Sequence, residues 1–252
     1  MAPALIGWPG VAITNVDVTL PVAGKDLDLH CNKLTFRTGI ASLIPPRPSV
    51  SLTMKGLRKG GDLYVKYKDH PDHTGLVVEA EGVLLDQLSI PGLSESLSGK
   101  LDLDADLSLE MSDFAKSTGD IDLTIAQLKI PGQNIEGLVL PPLNMGNAKA
   151  KLIAKNGVVE INSVQFGDQT SDLKGSLTGD MKLGAELRRS FLNLTLRVQF
   201  SEKYKQDPKS QMLLSILESF RSASRGDYGM RWSATLDAMG TNIMSAIPQK
   251  VE

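Results

Sequence analysis

The stretch that most constrains the fold runs from Leu97 to Met111, where apolar residues or glycine alternate with polar residues over fifteen positions. Because successive side chains of a β-strand point to opposite faces, this pattern predicts a strand with one apolar and one polar face. At about 3.3 Å per residue such a strand would span roughly 50 Å, which is far longer than a usual strand. The run therefore favours a long, curved sheet whose apolar face lines a groove.

The same alternation recurs in segments around residues 50–54, 76–84, 177–187, 192–200 and 230–236. Alternation is typical of half-buried antiparallel strands, whereas parallel strands covered on both faces have continuous apolar runs. The dipeptide Asn156-Gly157 stands between two apolar pairs and predicts a two-residue hairpin turn. The sequence therefore predicts a mainly β protein built on an antiparallel sheet.

One segment has helical periodicity instead. Asp207 is a good N-cap and Pro208 suits the first helical position, so we predict a helix over residues 208–224, ending before Gly226. Its apolar stripe must be buried against another part of the protein, and we expect it to cover part of the groove. The stripe consists of Met212, Leu213, Ile216, Leu217 and Phe220.

Composition limits the classes of function. The 252 residues are 41% hydrophobic, which is enough for one large core, and we predict a single domain over residues 1–252. A net charge of -2 without a basic block, together with 5% aromatic residues, argues against a nucleic-acid partner. The lone Cys31 permits no internal disulfide or zinc site. We interpret Met1 as the start of an internal segment whose native N-terminal membrane anchor is absent.

Catalytic motifs are not evident, and we predict a protein that is not an enzyme, with no catalytic residue, metal or cofactor. One alternative is a metal-dependent hydrolase that uses His70, Asp72 and His73, although a solvated turn around Pro71 explains this cluster better. The acidic triplet at Asp102, Asp104 and Asp106 has a same-face spacing of about 6.6 Å and no loop to wrap a cation, so we interpret it as a solvated outer face.

From about residue 130 onward the chain resembles the type II secretion system protein N family. The passage from Gly132 to Gly146 (GQNIEGLVLPPLNMG) is similar to a glycine- and Leu-Pro-containing stretch of that family. The strand entering the Asn156-Gly157 turn, the segment Gly175–Gly179 and the segment Leu187–Leu194 also fit. Residues 1–130 resemble the wider AsmA-like proteins only in their alternating strands. These motifs are structural and include no catalytic group.

The resemblance implies a periplasmic domain carried on an inner-membrane anchor, acting as an accessory component of the bacterial type II secretion system with other components of that system as partners. It also implies a strongly curved, taco-shaped sheet whose inner face holds lipid or detergent acyl chains. An alternative is an AsmA-like lipid-binding or lipid-transfer protein that is not tied to secretion.

The residues expected to line the groove are the apolar residues of two long strands and their neighbours. They are Leu97, Leu101, Leu103, Leu107, Leu109, Leu177, Met181, Leu183, Leu194 and Leu196. In the alternative, the same residues meet a second sheet or the helix and form a closed core.

Overall fold

In a computed structural model of the chain, which describes residues 10–22, 25–38, 49–87, 97–135, 138–241 and 248–251, strands predominate. The strands are β1 (Val11–Val22), β2 (Lys25–Thr38), β3 (Ser49–Leu57), β4 (Asp62–Asp69), β5 (Thr74–Leu84), β6 (Ser98–Leu109), β7 (Thr118–Ile130), β8 (Gln133–Ile135), β9 (Leu138–Leu140), β10 (Leu143–Lys155), β11 (Val158–Phe166), β12 (Leu173–Lys182), β13 (Phe191–Phe200), β14 (Tyr228–Thr235) and β15 (Gln249–Lys250). The mainly β class is confirmed.

The helical elements of the described residues are short. The α-helices are α1 (Glu202–Gln206), α2 (Gln211–Leu217) and α3 (Leu236–Thr241). Single 3₁₀ turns lie at Leu85–Gln87, Phe114–Lys116, Leu187–Arg189, Pro208–Ser210 and Glu218–Phe220.

Thirteen of the described strands form one open antiparallel sheet in the order β1-β2-β3-β4-β5-β6-β7-β10-β11-β12-β13-β14-β15, with β1 and β15 at its edges. Strands β8 and β9 form a separate two-stranded hairpin. Within the large sheet each strand pairs with the one before it in the chain, except that β10 pairs with β7 across the β8–β9 hairpin, and the antiparallel arrangement predicted from the alternation is confirmed.

The hairpin at Asn156-Gly157 is also confirmed. Lys155 pairs with Val158, and the φ angles of Asn156 and Gly157 are 52° and 74°. Two consecutive left-handed residues form a type I′ turn, whose twist matches that of the strands on either side.

The opening pattern of the sequence corresponds to β6, which is shorter than predicted. Its twelve residues end at Leu109, so at about 3.4 Å per residue it spans roughly 40 Å. Met111 lies beyond the strand and is 64% exposed. The alternation around residues 177–187 also overran its strand, because β12 ends at Lys182.

The register of the sheet gathers apolar residues on one face. Directly opposed residues of antiparallel strands share a face, so the pairings can be followed from strand to strand. One row crosses twelve strands, from β1 to β14, and every member is apolar or glycine. Its members are Val11, Phe36, Leu52, Val65, Val78, Ala105, Ile121, Leu152, Ile161, Gly179, Leu194 and Trp232. With strands about 4.8 Å apart, the row extends roughly 50 Å along the sheet.

The helical segment covers one end of this apolar face. Leu214 of α2 is buried in a cluster with Phe166, Val198 and Tyr228, and Leu213, Leu217 and Phe220 pack against that cluster. One ring contact joins the segment to the sheet, because Tyr204 of α1 stacks on Phe200 of β13 at 5.3 Å. Phe200 in turn meets Tyr228 of the neighbouring strand edge-on at 5.6 Å.

The predicted helix stripe is therefore wrong in two of its five members. Met212 and Ile216 are 56% and 50% exposed, whereas Leu214, outside the predicted stripe, is buried. The helix is also shorter than predicted, because a 3₁₀ turn, α2 and a second 3₁₀ turn follow one another without a gap from Pro208 to Phe220 and end there. Asp207 does cap it, because its Oδ1 accepts a 2.9 Å hydrogen bond from the Lys209 N–H, but residue 221 is already extended. The buried face is thus rotated by part of a turn from the predicted one.

A second buried cluster holds the β1–β6 half of the sheet. It contains Leu29, Cys31, Met54, Leu57, Ala80 and Val83, and Leu101 and Leu103 of β6 pack against it. Cys31 is fully buried on β2, which confirms that it is a strand residue.

Candidate functional site

The apolar face of the large sheet is the most extensive feature that can bind a ligand, and we call it the trough. It is defined by the twelve-residue row described above and the parallel rows beside it. Several floor residues are half-buried, as at Leu107, Ile121, Leu152 and Met181, whereas Ala105 and Ile161 of the row are buried. A face that meets a second layer would bury such residues fully, so the middle of the trough is only partly covered by the described residues.

A cavity of about 400 Å³ lies in the trough at the end away from α1 and α2. Its lining residues come from five consecutive strands and two connections: Leu107, Leu109, Phe114, Ser117, Thr118, Gly119, Ile121, Leu152, Ala154, Val159, Met181, Leu183 and Leu187. Five neighbouring strands can line one cavity only where the sheet is concave. The lining is almost wholly apolar, and its volume is within the range of roughly 300–1,000 Å³ that small-molecule sites occupy.

Two connections border this cavity. The β6–β7 connection, residues 110–117, reaches across the sheet to the β12–β13 connection, residues 183–190. The Phe114 N–H donates to the Ala185 carbonyl at 3.1 Å, although their strands would be about 14 Å apart in a flat sheet. Internal hydrogen bonds shape the crossing connection: Asp113 Oδ1 accepts from the Ala115 N–H at 3.2 Å, and Ser117 Oγ accepts from the Glu110 N–H at 3.0 Å.

The ten groove residues predicted from the sequence divide into three groups in the structure. Leu107, Leu109, Met181 and Leu183 line the cavity. Leu97, Leu101, Leu103 and Leu196 pack against the two buried clusters and belong to the walls at the covered parts of the face. Leu177 and Leu194 lie half-buried on the same face, opposite Leu196 and Trp232 respectively.

Sequence reasoning missed several residues of the cavity. Ile121, Leu152 and Val159 carried a usable signal, because each belongs to an alternating strand whose register reaches Met181. Phe114 and Leu187 carried none, since each lies in a connection whose path depends on the tertiary structure.

A larger depression of about 670 Å³ lies near the β7–β10 and β11–β12 connections. Its lining mixes apolar residues with Lys129, Asp172 and Lys203 and is open to solvent. The apolar cavity is the better candidate site, because it continues a surface that the sheet builds over twelve strands.

The other side chains considered from the sequence lie elsewhere. His70 and His73 stack at 4.4 Å in the turn between β4 and β5. Asp102, Asp104 and Asp106 are exposed on the outer face, where Asp104 lies opposite both Glu79 and Asp122. Within the described ranges, no group of three or more His, Cys, Asp or Glu side chains is placed to hold a metal ion.

Perturbed ionisation occurs outside the cavity. Burial, and secondarily the charge of Asp17, raises the pKa of the Cys31 thiol and so disfavours the reactive thiolate. Hydrogen bonds from Thr170 and Ser171 hold the pKa of Asp168 below its ordinary value in the β11–β12 connection. The cavity lining itself contains no Asp, Glu, His, Lys or Arg.

Among the residues that the structure describes, no helix has both the length and the apolar character needed to cross a membrane. Comparison with protein-family models, with characterised proteins and with solved structures finds no match for this chain.

Proposed function

We propose that the trough binds the acyl chains of lipid or detergent molecules. The observation that carries this proposal is the row of twelve apolar or glycine residues that crosses the sheet from Val11 to Trp232. Hydrocarbon is favoured in such an environment because each buried methylene gains about 0.8 kcal/mol relative to water.

The length of the apolar row supports an elongated ligand. The apolar row extends for roughly 50 Å across the sheet, and the apolar cavity adjoins the middle of it, on strands β6, β7, β10, β11 and β12. A compact polar metabolite would find few hydrogen-bonding partners on this floor, whereas an acyl chain needs none.

Titration of the purified protein with a fluorescent polyene fatty acid tests the proposal. We expect saturable binding that Met181→Asp abolishes, because this change places an unpaired charge in the cavity. Thr178→Asp is the matched control, since it adds the same charge to the same strand at an exposed position on the outer face. Equal affinity of the two variants, or no saturable binding by the unaltered protein, would refute the proposal.

We further propose that the lipid-binding domain serves as a periplasmic, membrane-anchored accessory of a type II secretion system, in contact with other components of that system. The support is the resemblance of residues 132–194 to the protein N family of that system. Deletion of the gene tests this part: reduced secretion of the system's substrates is expected. Intact secretion, with a gene that stands apart from secretin and pseudopilin genes, favours the alternative of an AsmA-like lipid-binding or lipid-transfer protein.

A further inference from the structure

The connection between β6 and β7 has the position of a movable cover. Its residues 110–117, which we call the strap, leave the end of β6 and pass over the cavity. Phe114 and Ser117 of the strap line the cavity from one side, while β6, β7, β10, β11 and β12 form its floor. The strap therefore separates the apolar cavity from the solvent at this end of the trough.

The strap is held less firmly than the floor. Each floor strand is hydrogen-bonded to a neighbour on both sides. Among the described residues, one backbone hydrogen bond, from Phe114 to Ala185, joins the strap to the β12–β13 connection. The strap also touches the β10–β11 turn, where Ala115 lies against Gly157. Because local opening follows the number of contacts that must break, the strap opens at a lower free energy than the floor of the cavity.

We propose that the strap is a gate, and that it swings away from the β12–β13 connection to admit the end of an acyl chain into the cavity. This inference rests on the proposed function and names the element that controls access to the same site. In the closed state Phe114 of the strap and Leu187 of the β12–β13 connection both line the cavity, and in the open state the end of the acyl chain passes between them.

The structure provides a way to lock the gate. A Cβ atom built on Gly157 would lie 4.0 Å from the Cβ of Ala115, which is within the range for a disulfide. The same Cβ would lie 3.1 Å from the Ala115 carbonyl oxygen, and Gly157 has a left-handed φ of 74°, so the substitution strains the β10–β11 turn equally in the oxidised and reduced forms. The double variant Ala115→Cys, Gly157→Cys therefore allows the oxidised form, with the strap locked, to be compared with the reduced form of the same protein. Cys31 is fully buried and does not compete for pairing.

A second pair of variants loosens the gate. Phe114 is the first residue of a 3₁₀ turn after Asp113, whose φ and ψ of −155° and 89° lie outside the helical region. Proline is tolerated at such a position, so Phe114→Pro removes the N–H that bonds to Ala185 and leaves the turn intact. Phe114→Ala is the matched control, because it also removes the ring but keeps the N–H.

The test is the rate at which delipidated protein takes up a fluorescent polyene fatty acid in stopped-flow mixing. We expect the oxidised double variant to be at least tenfold slower than its reduced form, and Phe114→Pro to be several-fold faster than Phe114→Ala. Equal rates within both pairs would overturn the gate. No uptake by the unaltered protein would instead refute the proposed lipid binding, so the two failures are distinguishable.

Discussion

Filling the cavity should affect stability very differently from filling the covered end of the same face. Ala154 and Ala148 both belong to β10 and both point to the apolar face, but Ala154 lines the cavity whereas Ala148 is 8% exposed within the buried cluster. Ala148 lies between Ile125 and Phe166 in the register of the sheet. The same change to leucine at each position therefore compares an open site with a packed one.

The expected magnitudes follow from this difference. Leucine adds three carbon atoms, and forcing them into a packed core costs about 1–3 kcal/mol, so Ala148→Leu should be destabilising by that amount. At Ala154 the new atoms enter a space of about 400 Å³. Partial burial of three carbons at about 0.8 kcal/mol each should then stabilise the protein by roughly 1 kcal/mol.

Urea denaturation with a common slope gives the two free energies of unfolding. The added side chain at Ala154 should also lower the affinity for a fatty-acid probe by about tenfold, equivalent to roughly 1.4 kcal/mol. Equal destabilisation by the two variants would refute the reasoning, because it would mean that the face is packed as closely at Ala154 as at Ala148.

Three further changes test the fold around the trough. Gly179→Ala should destabilise by about 1–3 kcal/mol in urea unfolding, because φ is 148° and the new Cβ would clash with the Asn193 carbonyl oxygen; a neutral result would contradict the register there. Burial raises the pKa of Tyr204 to about 12 from an ordinary value of 10.0, so the stability contributed by the neutral phenol is complete below pH 10 and is lost as pH rises towards 12. Tyr204→Phe should therefore lose less stability than the unaltered protein between pH 10 and 12. An alkaline unfolding transition that is the same in both proteins would contradict this role of Tyr204. The pKa of Asp168 is lowered in the fold, so the stability contributed by its carboxylate is complete above the ordinary pKa of 3.8 and is lost as pH falls through the lower folded value. The urea midpoint of Asp168→Asn should therefore fall less on acidification than that of the unaltered protein. Parallel dependence of the two midpoints on pH would contradict this.

The sheet was predictable because its strands obey a local rule. Alternation from Leu101 to Leu109 requires one apolar face whatever the rest of the chain does, and Asn156-Gly157 specifies a hairpin from two residues alone. Each prediction therefore needed no knowledge of distant contacts.

The ends of elements and the choice of helix face were harder to predict. Leu183 and Leu187 continue the alternation of β12 in the sequence, but the strand ends at Lys182 and the chain turns towards the strap. In α2, apolar residues at 212, 213, 214, 216 and 217 surround most of the helix, so periodicity alone did not show that Leu214 faces the sheet. α1 was not predicted, because Tyr204 is its one apolar residue and a single residue defines no helical periodicity.

The cavity could be predicted only in part for the same reason. Its floor follows from strand alternation, since the predicted Leu107 and Met181 lie on one row with Val159. Its walls depend on where the strap crosses, and the 3.1 Å contact between Phe114 and Ala185 joins residues 71 positions apart. Such a contact depends on the concavity of the whole sheet, which no local pattern specifies.

Native mass spectrometry of the protein purified without detergent, paired with organic extraction of the same sample, tests lipid binding in the trough most directly. We expect an adduct of lipid mass whose extracted chains are acyl chains. We also expect this adduct to be lost in Met181→Asp and kept in Thr178→Asp. A protein that carries no adduct, and whose mass and stability do not respond to added fatty acid or detergent, would contradict the claim that the apolar face of this sheet is a binding surface.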